Sequence, residues 1–213
     1  MVWKDVASPL KEEGLGIKRI REWNQAAIAK YLWKLVQSDP TSSWAKWARA
    51  NLLRGRSLWD ISTPSDCSWT WRKLLSLRDR FRSHARWVVG NGRNTLLWFD
   101  NWLPIGPIIN AMGEHILFEI GLTRYATVAD IIRNGHWRWP WTASEDLCTI
   151  KQVIFGQSPP RSNEADAVIW VPDKVGKFSI KSAWDCFRYH KELVGILWCG
   201  TWVEYPKLRF VYG

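Results

Sequence analysis

Tryptophan is the residue that most restricts this chain: 18 of its 213 residues, about one in twelve, carry an indole. An indole is bulky and brings an N–H that needs a partner when buried. The tryptophans must therefore fall in step with the elements that hold them. They follow no fixed repeat, which argues against a solenoid. The apolar fraction of 46% and the charged fraction of 23% are those of a globular chain. The length suits one to one and a half domains and excludes a large multidomain enzyme. Apolar runs such as residues 105–111 fall far short of the roughly 20 residues that span a bilayer. The first residues form no hydrophobic signal region, so the expectation is an intracellular chain without a membrane partner. Cys67, Cys148, Cys186 and Cys199 stand apart with no C-x-x-C pair. That spacing speaks against a zinc ribbon or a disulfide framework and predicts reduced thiols.

Helical periodicity dominates the first third. Residues 22–36 place Ile28, Leu32, Leu35 and Val36 on one stripe before Asp39-Pro40 stops the helix. Thr41, Ser42 or Ser43 can cap a second helix with Trp44, Trp47 and Ala48 on a shared face, ending near Gly55. Ser68 or Thr70 can cap a third, with Trp71, Leu74 and Leu75 on one side and Arg72, Lys73, Arg78, Arg80 and Arg82 largely on the others. The period then changes. Alternation through Trp87 and Val89, the turn Gly90-Asn91-Gly92, and alternation from Leu96 to Asp100 predict a Trp-rich β-hairpin.

Residues 101–126 are punctuated by Pro and Gly and read as loop with short elements. Thr127 caps a short helix that Asn134-Gly135 ends, and Ser144 opens another with a Leu147, Ile150 and Ile154 stripe. Gly156-Gln157-Ser158-Pro159-Pro160 is the best internal boundary, dividing residues 1–156 from 157–213. Past it, residues 167–171 and 177–180 read as a second hairpin, and Ser179 or Ser182 leads into a helix carrying Ala183, Trp184 and Phe187. The expected class is α+β: an N-terminal helical region, a Trp-rich hairpin and a small, incomplete C-terminal αβ unit.

The formal charge is +10, and the first hundred residues hold 18 basic against 9 acidic side chains. Residues 72–93 alone carry seven, Arg72, Lys73, Arg78, Arg80, Arg82, Arg86 and Arg93, against Asp79. They are interleaved with Trp71, Phe81 and Trp87. Such a surface attracts phosphates by counterion release, and exposed rings can stack on unpaired bases. The structural alternative is that the tryptophans pack inside and the arginines solvate a helix. Trp71 and Trp87, on periodic apolar faces, are expected to pack.

Catalytic patterns are missing. Asp60, Asp66, Asp79 and Asp100 have no spacing that marks a Mg²⁺ cluster, and capping or surface pairing accounts for them. Cys186, His190 and Cys199 are one ligand short of a tetrahedral zinc site. His84, His115, His136 and His190 have no nucleophile motif beside them and read as surface or loop residues. Gly90-Asn91-Gly92 lacks the G-x-G-x-x-G spacing of a dinucleotide loop. No enzyme activity, cofactor or metal is expected.

An ordered series of words runs along the chain: Glu13-Gly14-Leu15-Gly16-Ile17, Trp44-Ala45-Lys46-Trp47, Ser68-Trp69-Thr70-Trp71-Arg72, Arg86-Trp87-Val88-Val89-Gly90-Asn91-Gly92-Arg93 and Trp98-Phe99-Asp100-Asn101-Trp102-Leu103. Thr127-Val128-Ala129-Asp130-Ile131-Ile132, Trp137-Arg138-Trp139, Trp170 and Gly176-Lys177-Phe178-Ser179-Ile180-Lys181-Ser182-Ala183-Trp184 continue it. The series, over roughly residues 10–210, resembles plant non-LTR (LINE-type) retrotransposon polyproteins. There it follows the reverse transcriptase domain and leads into the reverse transcriptase zinc-binding domain. Two departures stand out: no adjacent aspartates of a polymerase motif occur, and the chain stops before the Cys and His cluster of that domain.

The resemblance implies a non-catalytic fragment that handles RNA or DNA, with a reverse transcriptase domain as neighbour in a longer parent chain. The seven residues Arg72, Lys73, Arg78, Arg80, Arg82, Arg86 and Arg93 are its expected nucleic-acid-binding set. The competing expectation is a structural or interaction remnant with no present activity.

Overall fold

The computed structural model describes residues 19–37, 41–139, 144–157 and 164–188. Apart from residue 19, these belong to one compact unit, Ile20–Arg188. Its elements are α1 (Ile20–Val36), α2 (Ser43–Ala48) running into a π-helical turn (Arg49–Leu53), α3 (Trp69–Arg82), β1 (Ala85–Val88), α4 (Ile108–Met112) and α5 (Ile116–Ile120). A 3₁₀ turn (Val128–Ile131), β2 (Ile132–Arg133), β3 (His136–Trp137), α6 (Glu145–Phe155), β4 (Ala167–Trp170) and α7 (Ile180–Phe187) follow. The class is α+β.

The helix starts follow their caps. Ser42 Oγ accepts the Ala45 N–H, Ser68 Oγ the Trp71 N–H, and Ser179 Oγ the Ser182 N–H, satisfying donors that a first turn leaves without a partner. Helix α1 buries Ala26, Ala29, Leu32, Trp33 and Leu35. With Ala26 and Ala29 fully covered and Ala183 fully covered on α7, small side chains let α1 pack against α7 as well as α3. Trp23 meets Trp184 edge to face at that junction, 6.5 Å between ring centres.

Trp170, at the end of β4, is the centre of the aromatic core and has no exposed surface. Phe81 of α3 stacks on it at 5.4 Å, Phe178 meets it edge-on at 5.0 Å, and Trp33 of α1 lies at 6.2 Å. Its indole N–H donates to Ser182 Oγ at 3.0 Å, so burial leaves no donor without a partner. His84, expected at the surface, packs against this same ring at 5.8 Å and against Phe187. Burial lowers its pKa. Residues 164–188 thus lie in the same compact unit as the helices before the Gly156 break.

Both predicted hairpins are corrected. Strand β1 pairs antiparallel with β4, in the register Ala85↔Trp170, Arg86↔Ile169, Trp87↔Val168 and Val88↔Ala167. The reason lies in one residue, Asn101. Asn101 Nδ2 donates to the carbonyls of Arg82 and Ala85, and the Trp87 N–H donates to the Asn101 carbonyl, occupying the other edge of β1. Leu96 forms an isolated bridge with Thr127 instead. In the second case the turn forms, with Trp170 N–H to Gly176 O at 2.8 Å and Asp173 Oδ2 accepting the Val175 and Lys177 N–H groups. Its far arm is not a strand, because Ser179 already caps α7 there.

Three smaller differences remain. The segment after Thr127 is a 3₁₀ turn, its Asp130 carboxylate accepting the Thr127 N–H at 2.7 Å. Asn134-Gly135 then turns β2 into β3 rather than simply ending a helix. On α2 the buried face is Ala45 and Ala48, while Trp47 points outward and is 53% exposed.

Truncating Trp170 to Ala should remove about 3–5 kcal/mol of stability, the range for large aromatic deletions in a core. Trp47→Ala should change it by less than about 0.5 kcal/mol, as surface substitutions do. Urea unfolding of the two variants, followed by circular dichroism, measures both.

Candidate functional site

Helix α3 positions five of the seven predicted residues, and it divides them. Arg82 is buried, with 6% of its surface exposed. Its guanidinium donates to the Phe99 carbonyl at 3.2 Å and to Asn110 Oδ1 at 2.7 Å, and it lies 5.2 Å from the Trp59 ring centre. Arg78 turns the same way, donating to the carbonyls of Leu58 and Ile61. These two guanidiniums hold loops together and are not available to a phosphate. Arg80 is exposed but donates to the Phe187 carbonyl at 2.9 Å, over the Phe187 ring, at the last turn of α7. A cation there also meets the negative end of the helix dipole.

The remaining four are at the surface or lining it. Arg72 is exposed and donates to the Ser65 carbonyl at 2.9 Å. Lys73 is exposed, its ammonium 5.8 Å from the centre of the Trp69 ring. Trp69 is 64% exposed. Sequence periodicity had singled out Trp71, which is buried, and missed Trp69 because it falls off the Trp71, Leu74, Leu75 stripe. Trp69, Lys73, Ser76 and Arg80 are spaced four, three and four apart, so the exposed side of α3 forms one stripe. Arg86 is half-buried on β1, and Arg93 is exposed in the following loop.

That loop is held by a residue with no local signal in the sequence. Asp166 Oδ1 accepts the N–H groups of Gly90 at 2.7 Å and Gly92 at 2.8 Å, and Oδ2 accepts that of Asn94 at 2.8 Å. Successive N–H groups converging on one anion form a nest, and here the anion is the protein's own carboxylate. Both glycines are required: a Cβ at Gly90 would lie 2.5 Å from the Ala165 carbonyl oxygen. At Gly92, which has φ +72°, it would lie 2.7 Å from the Ala129 nitrogen. The loop is therefore neither a hairpin turn nor an open phosphate cradle.

The acids are also engaged one by one. Asp60 accepts from Arg124 Nε at 2.9 Å and Nη2 at 2.5 Å and from the Tyr125 hydroxyl at 2.9 Å. The Arg124 guanidinium holds its carboxyl below the usual range. Asp100 is buried. Its Oδ1 accepts the Trp59 indole N–H at 2.8 Å and its Oδ2 the Leu96 N–H at 2.7 Å. Burial pushes its pKa up to about 7, against the pull of those two donors and of Arg82.

Asp66 and Asp79 are exposed. Among the described residues no three His, Cys, Asp or Glu side chains group so as to hold a metal ion. Cys67, Cys148 and Cys186 are free thiols, and burial raises that of Cys186 to about 11. His190 and Cys199, the other members of the incomplete zinc pattern, lie outside the described residues.

Against known proteins, the chain is similar to a "Putative ribonuclease H protein" of Arabidopsis thaliana, 26% identical over 198 residues. The match takes in 86% of this chain but only 30% of that protein, so the chain spans less than a third of it. It is also similar to an "Uncharacterized mitochondrial protein" of the same plant, 22% identical over 113 residues, covering 51% of this chain and 73% of that protein. No family model matches. No solved structure matches either.

The buried Asp100 carboxyl yields a pH prediction. A carboxyl whose native pKa is raised binds its proton more tightly when folded. The stabilisation is complete below about pH 4 and is lost as the pH rises through about 7. At about 1.4 kcal/mol per pKa unit it is on the order of 4 kcal/mol. Asp100→Asn should abolish this slope, so the stability difference between wild type and variant should shrink as the pH rises from 4 to 7. Both proteins keep His84, whose opposite dependence cancels in the difference. Urea titrations at several pH values read it directly.

Proposed function

We propose that this chain is a non-catalytic, nucleic-acid-associated segment of a plant LINE-type retrotransposon polyprotein. In that reading it follows a reverse transcriptase domain in its parent chain and holds the backbone of template or target strand. Several things support it. The ordered words from Glu13-Gly14-Leu15 to Ala183-Trp184 resemble those of that family. One relative is named as a ribonuclease H protein, and the activity of that whole protein is not carried over to a chain spanning 30% of it.

The observation that carries the reading is the outer stripe of α3. Trp69, Arg72 and Lys73 stand at the surface of its first turns, and no acidic residue occurs between residues 69 and 76. A cationic surface with an exposed indole is what an unpaired strand requires, charge for its phosphates and a ring for its bases. Arg93 adds a further exposed cation on the loop that Asp166 holds. Arg78 and Arg82 drop out of the binding set because they turn inward, half-buried and buried, onto the protein's own carbonyls, whereas Arg72 stays exposed while donating to Ser65. The engagement of Asp60, Asp100 and Asp166 in structural hydrogen bonds supports the non-catalytic part.

Fluorescence anisotropy of labelled single-stranded RNA and DNA, titrated from low to physiological salt, tests the proposal. Saturable binding with log affinity falling linearly in log salt is expected. Arg72→Gln with Lys73→Gln should reduce the slope by about 1.4, at about 0.7 per phosphate contact for single strands. A folded chain that fails to bind at low salt would refute the proposal and leave the competing reading, a structural remnant.

A further inference from the structure

A cleft of about 230 Å³ opens beside β1, lined among others by Arg86, Val88, Trp102, Trp137 and Gln157. Two of its walls are indole rings, Trp102 and Trp137, 6.0 Å apart at an angle of 35°. Neither ring is free to turn for hydrogen bonding. The Trp102 N–H donates to the Leu97 carbonyl at 3.0 Å and the Trp137 N–H to the Gln157 carbonyl at 3.0 Å. Both polar handles are thus consumed by the protein, and what faces the cleft is ring and hydrocarbon. Trp102 is buried and Trp137 half-buried, so the second ring is reachable from outside.

Arg86 and Val88 stand two residues apart on β1 and share one side of the strand. Val88 is 47% exposed at the rim. Among the described residues the Arg86 guanidinium has no hydrogen-bond or ion-pair partner, in contrast to Arg72, Arg78, Arg80 and Arg82, each of which donates to a carbonyl of this protein. A half-buried cation without an acceptor, at the edge of an aromatic slot, calls for a ligand that is flat, apolar on its faces and anionic beside the ring. The volume lies below the roughly 300 Å³ at which sites for whole drug-sized molecules begin, so the slot takes a single ring system.

We infer that this cleft accepts one unpaired nucleobase of a bound strand, packed against Trp137, with Arg86 on the adjoining phosphate. The inference rests on the proposed nucleic-acid reading and adds to it a site on β1 that is separate from the α3 stripe. It predicts a property that backbone contacts cannot produce: the chain distinguishes strands of identical charge by whether a base is present.

The experiment uses the chain carrying Trp69→Ala, which removes the other exposed ring, and compares a labelled oligonucleotide with one of the same length carrying only abasic sites, at one salt concentration. This Trp69→Ala chain should prefer the base-bearing strand by about 5- to 150-fold, the range for one stacked base. Trp137→Ala should abolish the preference while leaving affinity for the abasic strand unchanged. Val88→Tyr, a substitution at the exposed rim that fills the slot, should do the same without removing a wall, which covers the case in which Trp137→Ala fails to fold. Arg86→Gln should weaken both strands alike.

Equal binding of both strands by the Trp69→Ala chain would overturn the inference and leave the phosphate reading intact. Binding of neither would overturn both. A preference that survives both Trp137→Ala and Val88→Tyr would place the base elsewhere and also contradict the inference.

Discussion

The burial of Trp170 is the constraint on which the rest of the unit depends. Enclosing an indole costs least when its N–H finds an acceptor and its faces find rings or methyls of matching shape. Here Ser182 supplies the acceptor, and Phe81, Phe178 and Trp33 supply the walls. Those partners come from α1, α3, the turn after β4 and the first turn of α7, so one side chain ties together elements up to about 150 residues apart. Anchoring β4 in this way sets its register on β1. The register then brings Asp166, four residues before Trp170, opposite the glycines of the 90–94 loop.

The second lesson concerns charge. A basic helix is commonly taken as a basic surface, yet a guanidinium carries five donors and serves equally well as an internal fastener. Arg78 joins α3 to the loop of residues 58–61, and Arg82 joins it to the segment of residues 99–110. Arg80 closes the end of α7. The local excess of positive charge is thus divided between cohesion and an outer stripe. What the outer stripe holds, Trp69, Arg72 and Lys73, is smaller than the composition implies, but it is free of competing acids over two turns.

The helices were legible because their signals are local. Ser42, Ser68 and Ser179 cap where capping residues precede apolar stripes, and Leu147, Ile150 and Ile154 are the buried stripe of α6. The sheet was not legible. Gly90-Asn91-Gly92 between alternating segments has the local form of a hairpin, and only the distant carboxylate of Asp166 shows that these glycines serve a nest. The spacing of α3 does separate Arg78 and Arg82, which stand seven and eleven residues after Trp71 on its buried stripe, from Arg72 and Lys73, which fall off it. A reading of charge alone hides that division. The engagement of Asp100 with Trp59, forty-one residues earlier, is long-range in the same sense.

The central claim is that strand contacts fall on the start of α3 and on β1 with its loop, and not on the inward arginines. Photocrosslinking of a 4-thiouridine-containing RNA to the full chain, with the adducts located by mass spectrometry, tests it most directly. The account predicts adducts within residues 69–73 and 86–93 or at Trp137, and none at Arg78 or Arg82. Adducts concentrated instead on α5, around its exposed Phe118, or at the inward arginines of a folded chain, would contradict it.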